Sequence, residues 1–174
     1  MAAMGNFFGN SNKNEVINIS QATTKGKEIV SLKEQVDDLV NKYNLGTSVK
    51  LVETQRGIIL RILDDILFTS GNSELQDYSK IVLTNVAKVL KQIPNDVRIE
   101  GHTDNIPINT SSFPSNWHLS VSRATNAAYY LMMNEGLPQD RVTIVGYSEY
   151  KPVDTNDTPE GRANNRRVDI EILN

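Results

Sequence analysis

An acid and a guanidinium brought to one mouth would hold a zwitterion, and this chain carries candidates for both in three short blocks. Gly101-His102-Thr103-Asp104 reads as the end of a strand, Asn116 to Ala124 as the opening of a helix, and Asn165-Arg166-Arg167 as the approach to a last strand. Asp104 sits just past a strand end, where loops carry function; its spacing suits an Asx-turn or a cap equally well. Arg123 neighbours Ala124, Ala127 and Ala128, the small residues of a packed helix face. A charge there needs an acidic partner or an anionic ligand. It is either a structural salt bridge or a planar fork gripping a carboxylate at two points, which lysine could not reproduce. Asn116 lies two helical turns before Arg123 and shares its side; it caps the helix or meets the ligand. Backbone N–H groups around Leu119, at the helix start, favour an anionic head group. Arg166 either pins the last strand or faces the ligand, and Thr103 offers backbone contacts beside Asp104.

Other chemistries find less support. His102 and Asp104, two apart on a strand, invite a metal reading, but His118 is the only other histidine and the chain has no cysteine. Zinc sites want three or four protein ligands, so no metal is expected. No nucleophile elbow, phosphate-binding glycine loop or paired carboxylates with a proton-transfer role appears. The chain therefore reads as a binder rather than an enzyme, with no cofactor.

Elements that would position these residues follow from periodicity. Ile29, Leu32, Val36, Leu39 and Tyr43 form an apolar stripe at helical spacing, predicting an amphipathic helix over residues 26–46 with Gly46 as its stop. Two heptads are too short for an independent coiled coil; the stripe either docks on its own domain or makes a dimer contact. Residues 48–53 and 57–63 are both β-rich and predict a hairpin, its second strand apolar enough to be central and closed by Asp64 and Asp65. Ser73 and Gln76 suggest a capping box before a helix whose apolar side is Leu75, Tyr78, Ile81, Val82, Val86, Val89 and Leu90. Val97 to His102 is a strand with Val97, Ile99 and Gly101 on one face. A second helix runs from about Trp117 to Glu135. Strands follow at 141–147 and 167–173, the last with Asp169 and Glu171 on a wet face, separated by a polar loop over 151–164. The order predicts an α+β fold: a two-layer sandwich of a mixed β-sheet with helices on one side, preceded by an N-terminal helix. The domain proper is expected over residues 47–174.

Composition bounds the rest. The chain has 174 residues, 39% hydrophobic and 22% charged, with a formal net charge of −3. That suits one domain plus an arm and argues against nucleic acid as a partner, which favours basic surfaces. No run approaches the ~20 apolar residues of a membrane span, and Met1 to Gly9 does not read as a signal peptide. Asn6, Asn10, Ser11, Asn12, Asn14 and Asn18 make the start polar, so residues 1–25 are expected to be a flexible linker or an expression remnant.

Several spaced blocks, taken together, resemble the OmpA-like peptidoglycan-binding domain: GHTD at 101–104, NxxLSxxRA at 116–124, Gly146-Tyr147, Lys151-Pro152 and GRxxNRRV at 161–168. The likeness covers roughly Gly57 to Leu173. It implies that Asp104 receives the ammonium of a diaminopimelate residue of the peptidoglycan stem peptide and that Arg123 holds its carboxylate, with Thr103, Asn116, Leu119 and Arg166 completing the ligand site. Phe113-Pro114-Ser115-Asn116-Trp117 and Phe68-Thr69-Ser70-Gly71 look like the flagellar motor stator B subunit. His118 departs from that pattern, standing where the family carries an acidic residue. The stator resemblance implies a homodimer, an extracytoplasmic place beside the cytoplasmic membrane, and a stator A subunit as partner through a transmembrane part outside this sequence. A lipoprotein or outer-membrane wall anchor without a motor role is the alternative.

Overall fold

The computed structural model of the protein describes residues 31–174. The expected linker over 1–25 and the first residues of the expected helix lie outside them. The first described element, α1, is helical over 31–42. Leu32, Val36, Leu39 and Val40 on its apolar stripe are buried in the domain's own core. The helix stops before Gly46: Asn44 adopts the left-handed conformation (φ 54°). Leu45 N–H then donates to the Val40 carbonyl at 3.0 Å and Asn44 N–H to that of Asn41 at 3.1 Å. This is a Schellman closure, and Asn serves because its short polar side chain tolerates that backbone.

Five strands follow: β1 (Lys50–Glu53), β2 (Gly57–Leu63), β3 (Val97–His102), β4 (Val142–Gly146) and β5 (Arg167–Leu173). They form one sheet in the order β1-β2-β5-β3-β4, in which only β3 and β4 run parallel. The last strand is thus the central one. Helices α3 (Asp77–Lys91) and α4 (Asn116–Met133) join α1 over one sheet face. There Ile58, Leu60, Ile62, Val97, Ile99, Val168, Ile170 and Ile172 are buried. The expected α+β sandwich is the architecture observed.

Two short helices escaped the periodicity: α2 (Asp64–Leu67), directly after β2, and α5 (Pro159–Asn165), inside the expected polar loop. Neither is long enough to develop an apolar stripe. The expected capping box is absent as well. Gln76 is the N-cap of α3 and its side chain makes no capping bond. Ser73 Oγ instead accepts from Ser122 Oγ at 2.9 Å, and its carbonyl accepts from Asn126 at 2.7 Å, which ties the turn to α4. On α3, Tyr78 and Ile81 are exposed rather than core-facing.

The outer face of β5 is not wet. Asp169 and Glu171 are buried beneath arginines. Arg61 grips Asp169 with two bonds of 2.8 Å, Arg167 adds a third at 3.0 Å, and Arg56 reaches Glu171 at 2.9 Å. Carboxylates desolvated in this way persist because each is paired.

Two glycines seat α4 on the sheet. Gly101 and Gly146 are partners across β3 and β4. A Cβ on Gly101 would lie 2.0 Å from the Ser120 carbonyl oxygen, and one on Gly146 would lie 2.4 Å from Val121 Cγ2. The helix approaches closely because neither strand carries a side chain there. That approach sets the start of α4, and with it Asn116, Leu119 and Arg123, at the carboxyl end of β3.

Candidate functional site

Thr103, Asp104, Asn116, Leu119, Arg123 and Arg166 all line one cavity of about 480 Å³, together with Asp64, Phe68 and Ile106. The sequence-expected residues thus converge from the β3 end, the α4 start and the residue before β5.

The charges alternate around it. Arg123 Nη1 lies 2.9 Å from Asp64 Oδ2, Arg166 Nε lies 3.5 Å from Asp64 Oδ1, and Arg166 Nη1 donates to Asp104 Oδ2 at 2.7 Å. Both signs thus line the cavity, where Asp65 adds a third carboxylate to the two guanidiniums, so an added zwitterion meets a partner for each of its charges. Asp104 also accepts from Ile106 N–H at 3.0 Å, the Asx-turn its spacing suggested. Its carboxylate has lone pairs beyond these two bonds.

Arg123 is less available than a free fork would be. It is 2% exposed; Nε donates to the Asn72 carbonyl at 2.8 Å, Nη1 serves Asp64, and the guanidinium lies 5.2 Å from the Phe68 ring centroid. Arg166, with 35% of its side chain exposed, is the more open cation. Burial pushes the Asp64 carboxyl above the usual carboxylate range, against the pull of Arg123 and Arg166. Burial likewise lowers Arg123, with Asp64 opposing. For Arg166 burial is outweighed by the Asp104 hydrogen bond and the Asp64 charge, and its value rises.

Asn116 does not cap α4; Ser115 is the N-cap. Its amide donates to the carbonyls of Ile106 at 3.0 Å and Asp104 at 3.4 Å, so it holds the loop that presents Asp104. Thr103 Oγ1 donates to the Asp104 carbonyl at 2.9 Å and Thr103 N–H to that of Ser148 at 2.9 Å. Leu119 is an apolar wall, 5% exposed.

Sequence reasoning missed Asp64. Asp64 stands directly after the strand expected over 57–63. The available signal was the need of Arg123 for an acid, met by a carboxylate directly after a buried strand.

His102 and Asp104 do not share a site. His102 lines a separate cleft on the outer sheet face, stacked on Tyr147 at 5.3 Å. Its Nε2 lies 3.5 Å from Glu100 and 3.9 Å from Asp169. Glu100, His102 and Asp169 each offer a ligand atom within 4.8 Å of the others. Arg98 and Arg56 beside Glu100, and Arg61 and Arg167 on Asp169, already supply positive charge there. That disfavours a further cation.

A five-stranded mixed sheet with a charge-alternating cavity at the β3–α4 junction defines the class, and the family model described as the OmpA family matches residues 67–166. The chain belongs to that family. It is 34% identical over 171 residues to the uncharacterized protein YtxE of Bacillus subtilis (strain 168), covering 94% of this chain and 71% of that one. It is 38% identical over 148 residues to Motility protein B of the same organism, covering 84% of this chain and 57% of that one. The chain thus spans little more than half of that relative. Among solved structures, the cell wall anchor of the T6SS from Pseudomonas aeruginosa superimposes with a TM-score of 0.73 at 33% identity, over 79% of this chain and 96% of that one. Among the described residues, no helix is long and apolar enough to cross a membrane.

Proposed function

We propose that this chain is a non-catalytic peptidoglycan-binding module that anchors a flagellar motor stator to the cell wall. The observation that carries the reading is the alternation Arg123–Asp64–Arg166–Asp104 around one open cavity. A diaminopimelate side chain ends in an ammonium and a carboxylate on one carbon. The ammonium suits Asp104, and the carboxylate suits Arg166 with Arg123 behind it, by charge-assisted hydrogen bonds. Thr103 and Asn116 hold the loop, and Leu119 supplies the apolar wall. Residues 47–174 carry the binding cavity in this reading, and the helix over 31–42 packs on the same core.

The motor assignment rests on reach along the chain. The likeness to Motility protein B covers 84% of this chain, beyond the segment 67–166 matched by the family as a whole. With it come an extracytoplasmic location, a homodimer, and a stator A partner met through a membrane part outside this sequence. A wall anchor without motor role uses the same cavity and differs in what lies upstream.

Co-sedimentation with diaminopimelate-type peptidoglycan tests the reading. Wild type should pellet; Asp104→Ala and Arg166→Ala should stay in the supernatant with unchanged circular dichroism. Pelleting of both folded variants at wild-type level would remove the cavity from the account.

A further inference from the structure

Trp117 and Tyr150 leave much of their rings in water, at 48% and 62% exposed, yet they stack on each other with centroids 5.4 Å apart and planes 26° apart. Val121, one turn along α4 from Trp117, is 45% exposed. An exposed apolar cluster with a polar rim marks an interaction surface, and Trp and Tyr are the side chains that give rigid contact area at little entropic cost. The rim here is polar: Ser115 Oγ and His118 Nδ1 lie 2.9 Å apart in the same first turn.

The pair is tied to the cavity through the backbone. Trp117 directly follows Asn116, which lines the cavity and holds the Asp104 loop. Tyr150 N–H donates to the Tyr147 carbonyl at 3.2 Å, Tyr147 N–H to that of Gly101 at 2.9 Å, and Thr103 N–H to that of Ser148 at 2.9 Å. Both residues therefore sit at the carboxyl ends of the parallel strands β3 and β4, on the face of α4 next to the one that lines the cavity.

We infer that the Trp117–Tyr150 pair is a stacking platform for the glycan strand, the β-linked N-acetyl amino sugars from which the stem peptide hangs. This rests on the wall-binding reading. A pyranose has an apolar C–H face, suited to an aromatic ring, and a hydroxyl edge, suited to a polar rim. Diaminopimelate is the third residue of the stem, and with its side chain and the link to the sugar the glycan lies up to roughly 15–20 Å from a zwitterion seated in the cavity. An aromatic pair that begins one residue after Asn116 lies within that reach. The net charge of −3 argues against a nucleic-acid base on the same rings.

Trp117 is the only tryptophan of the chain, so its emission reports the site directly. Peptide-free glycan strands, released by amidase, are titrated into the full chain, and pelleting with intact sacculi is measured alongside. Expected are a saturable change in Trp117 emission for wild type, its retention in Asp104→Ala, and its loss in Tyr150→Ala. Sacculus affinity should fall about ten-fold in Tyr150→Ala and in Trp117→Ala, with Trp117→Phe recovering most of it. Wild-type sacculus binding that is unchanged in both alanine variants would overturn the platform while leaving the wall reading intact. Failure of wild type to bind sacculi and glycan alike would overturn both. Loss of a wild-type dimer in Tyr150→Ala, by sedimentation, with glycan response unchanged, would assign the rings to a second copy and overturn the platform.

Discussion

The carboxylate of Asp64 lies 2.9 Å from the guanidinium of Arg123, with side-chain exposures of 10% and 2%. A residue at the end of β2 and one inside α4 thus form the buried base of the cavity, and burial acts against both charges, raising the acid and lowering the base.

Removing one partner should cost more than removing both. Asp64→Ala leaves a buried guanidinium uncompensated and should lose about 3–5 kcal/mol of stability. The double replacement Asp64→Leu with Arg123→Met should recover more than half of that loss. Urea denaturation of the three proteins checks this; a double variant as unstable as Asp64→Ala would mean that the pair is not the coupled unit.

Arg166 bridges Asp104 and Asp64 from Nη1 and Nε. Arg166→Lys keeps the charge but cannot reach both acids in a planar fork. We expect sacculus affinity to drop at least ten-fold while the urea midpoint changes little, because the side chain is 35% exposed. Wild-type affinity in the lysine variant would show that charge alone suffices.

His102 responds to acid. Burial lowers its pKa, with Glu100 opposing and Arg167 reinforcing. In the window below its ordinary value of ~6.5, the unfolded chain binds a proton that the folded chain does not, so stability falls as pH drops through that window. Asp64, whose folded value is raised, acts in the opposite direction in its own window above the ordinary carboxylate value. The readout is therefore the difference between wild type and His102→Phe, which keeps the stack on Tyr147. Wild type should lose stability relative to the variant between about pH 7 and pH 5; parallel curves would refute the assignment.

Gly101→Ala places a Cβ 2.0 Å from the Ser120 carbonyl oxygen. Backbone cannot yield there without lifting α4, so we expect a loss of about 1–3 kcal/mol or more and, because α4 carries Asn116 and Arg123, loss of sacculus binding. A variant with a wild-type thermal midpoint and wild-type binding would disprove the close-approach role.

The strands were legible because alternation has a period of two and strand faces follow from it: β3 and β5 begin and end where the alternation did. The helix cores were legible in part. Tyr78 and Ile81 satisfied the pattern on α3 but are exposed, because an apolar residue at the flank of a stripe belongs inside only if a neighbour covers it. Ser73 satisfied a capping pattern, yet Ser122 and Asn126 of α4 compete for its polar atoms. Local rules have no means of weighing such a long-range partner.

Residue order and type by themselves determined the α+β class and the five strands, since periodicity and glycine placement are local properties of the chain; the six residues that gather at one cavity were picked out by the resemblance of their spaced motifs to the OmpA-like domain, spacing alone having left a structural role open for them. Only the tertiary structure decided how the charges pair. It placed Asp64 between Arg123 and Arg166, parted His102 from Asp104, and buried Asp169 and Glu171 under arginines. Those outcomes depend on which strands become neighbours, and the central position of β5 brings together residues that are 108 positions apart, as Arg61 and Asp169 are. Pairing energies act over a few ångströms of space, whatever the separation along the chain.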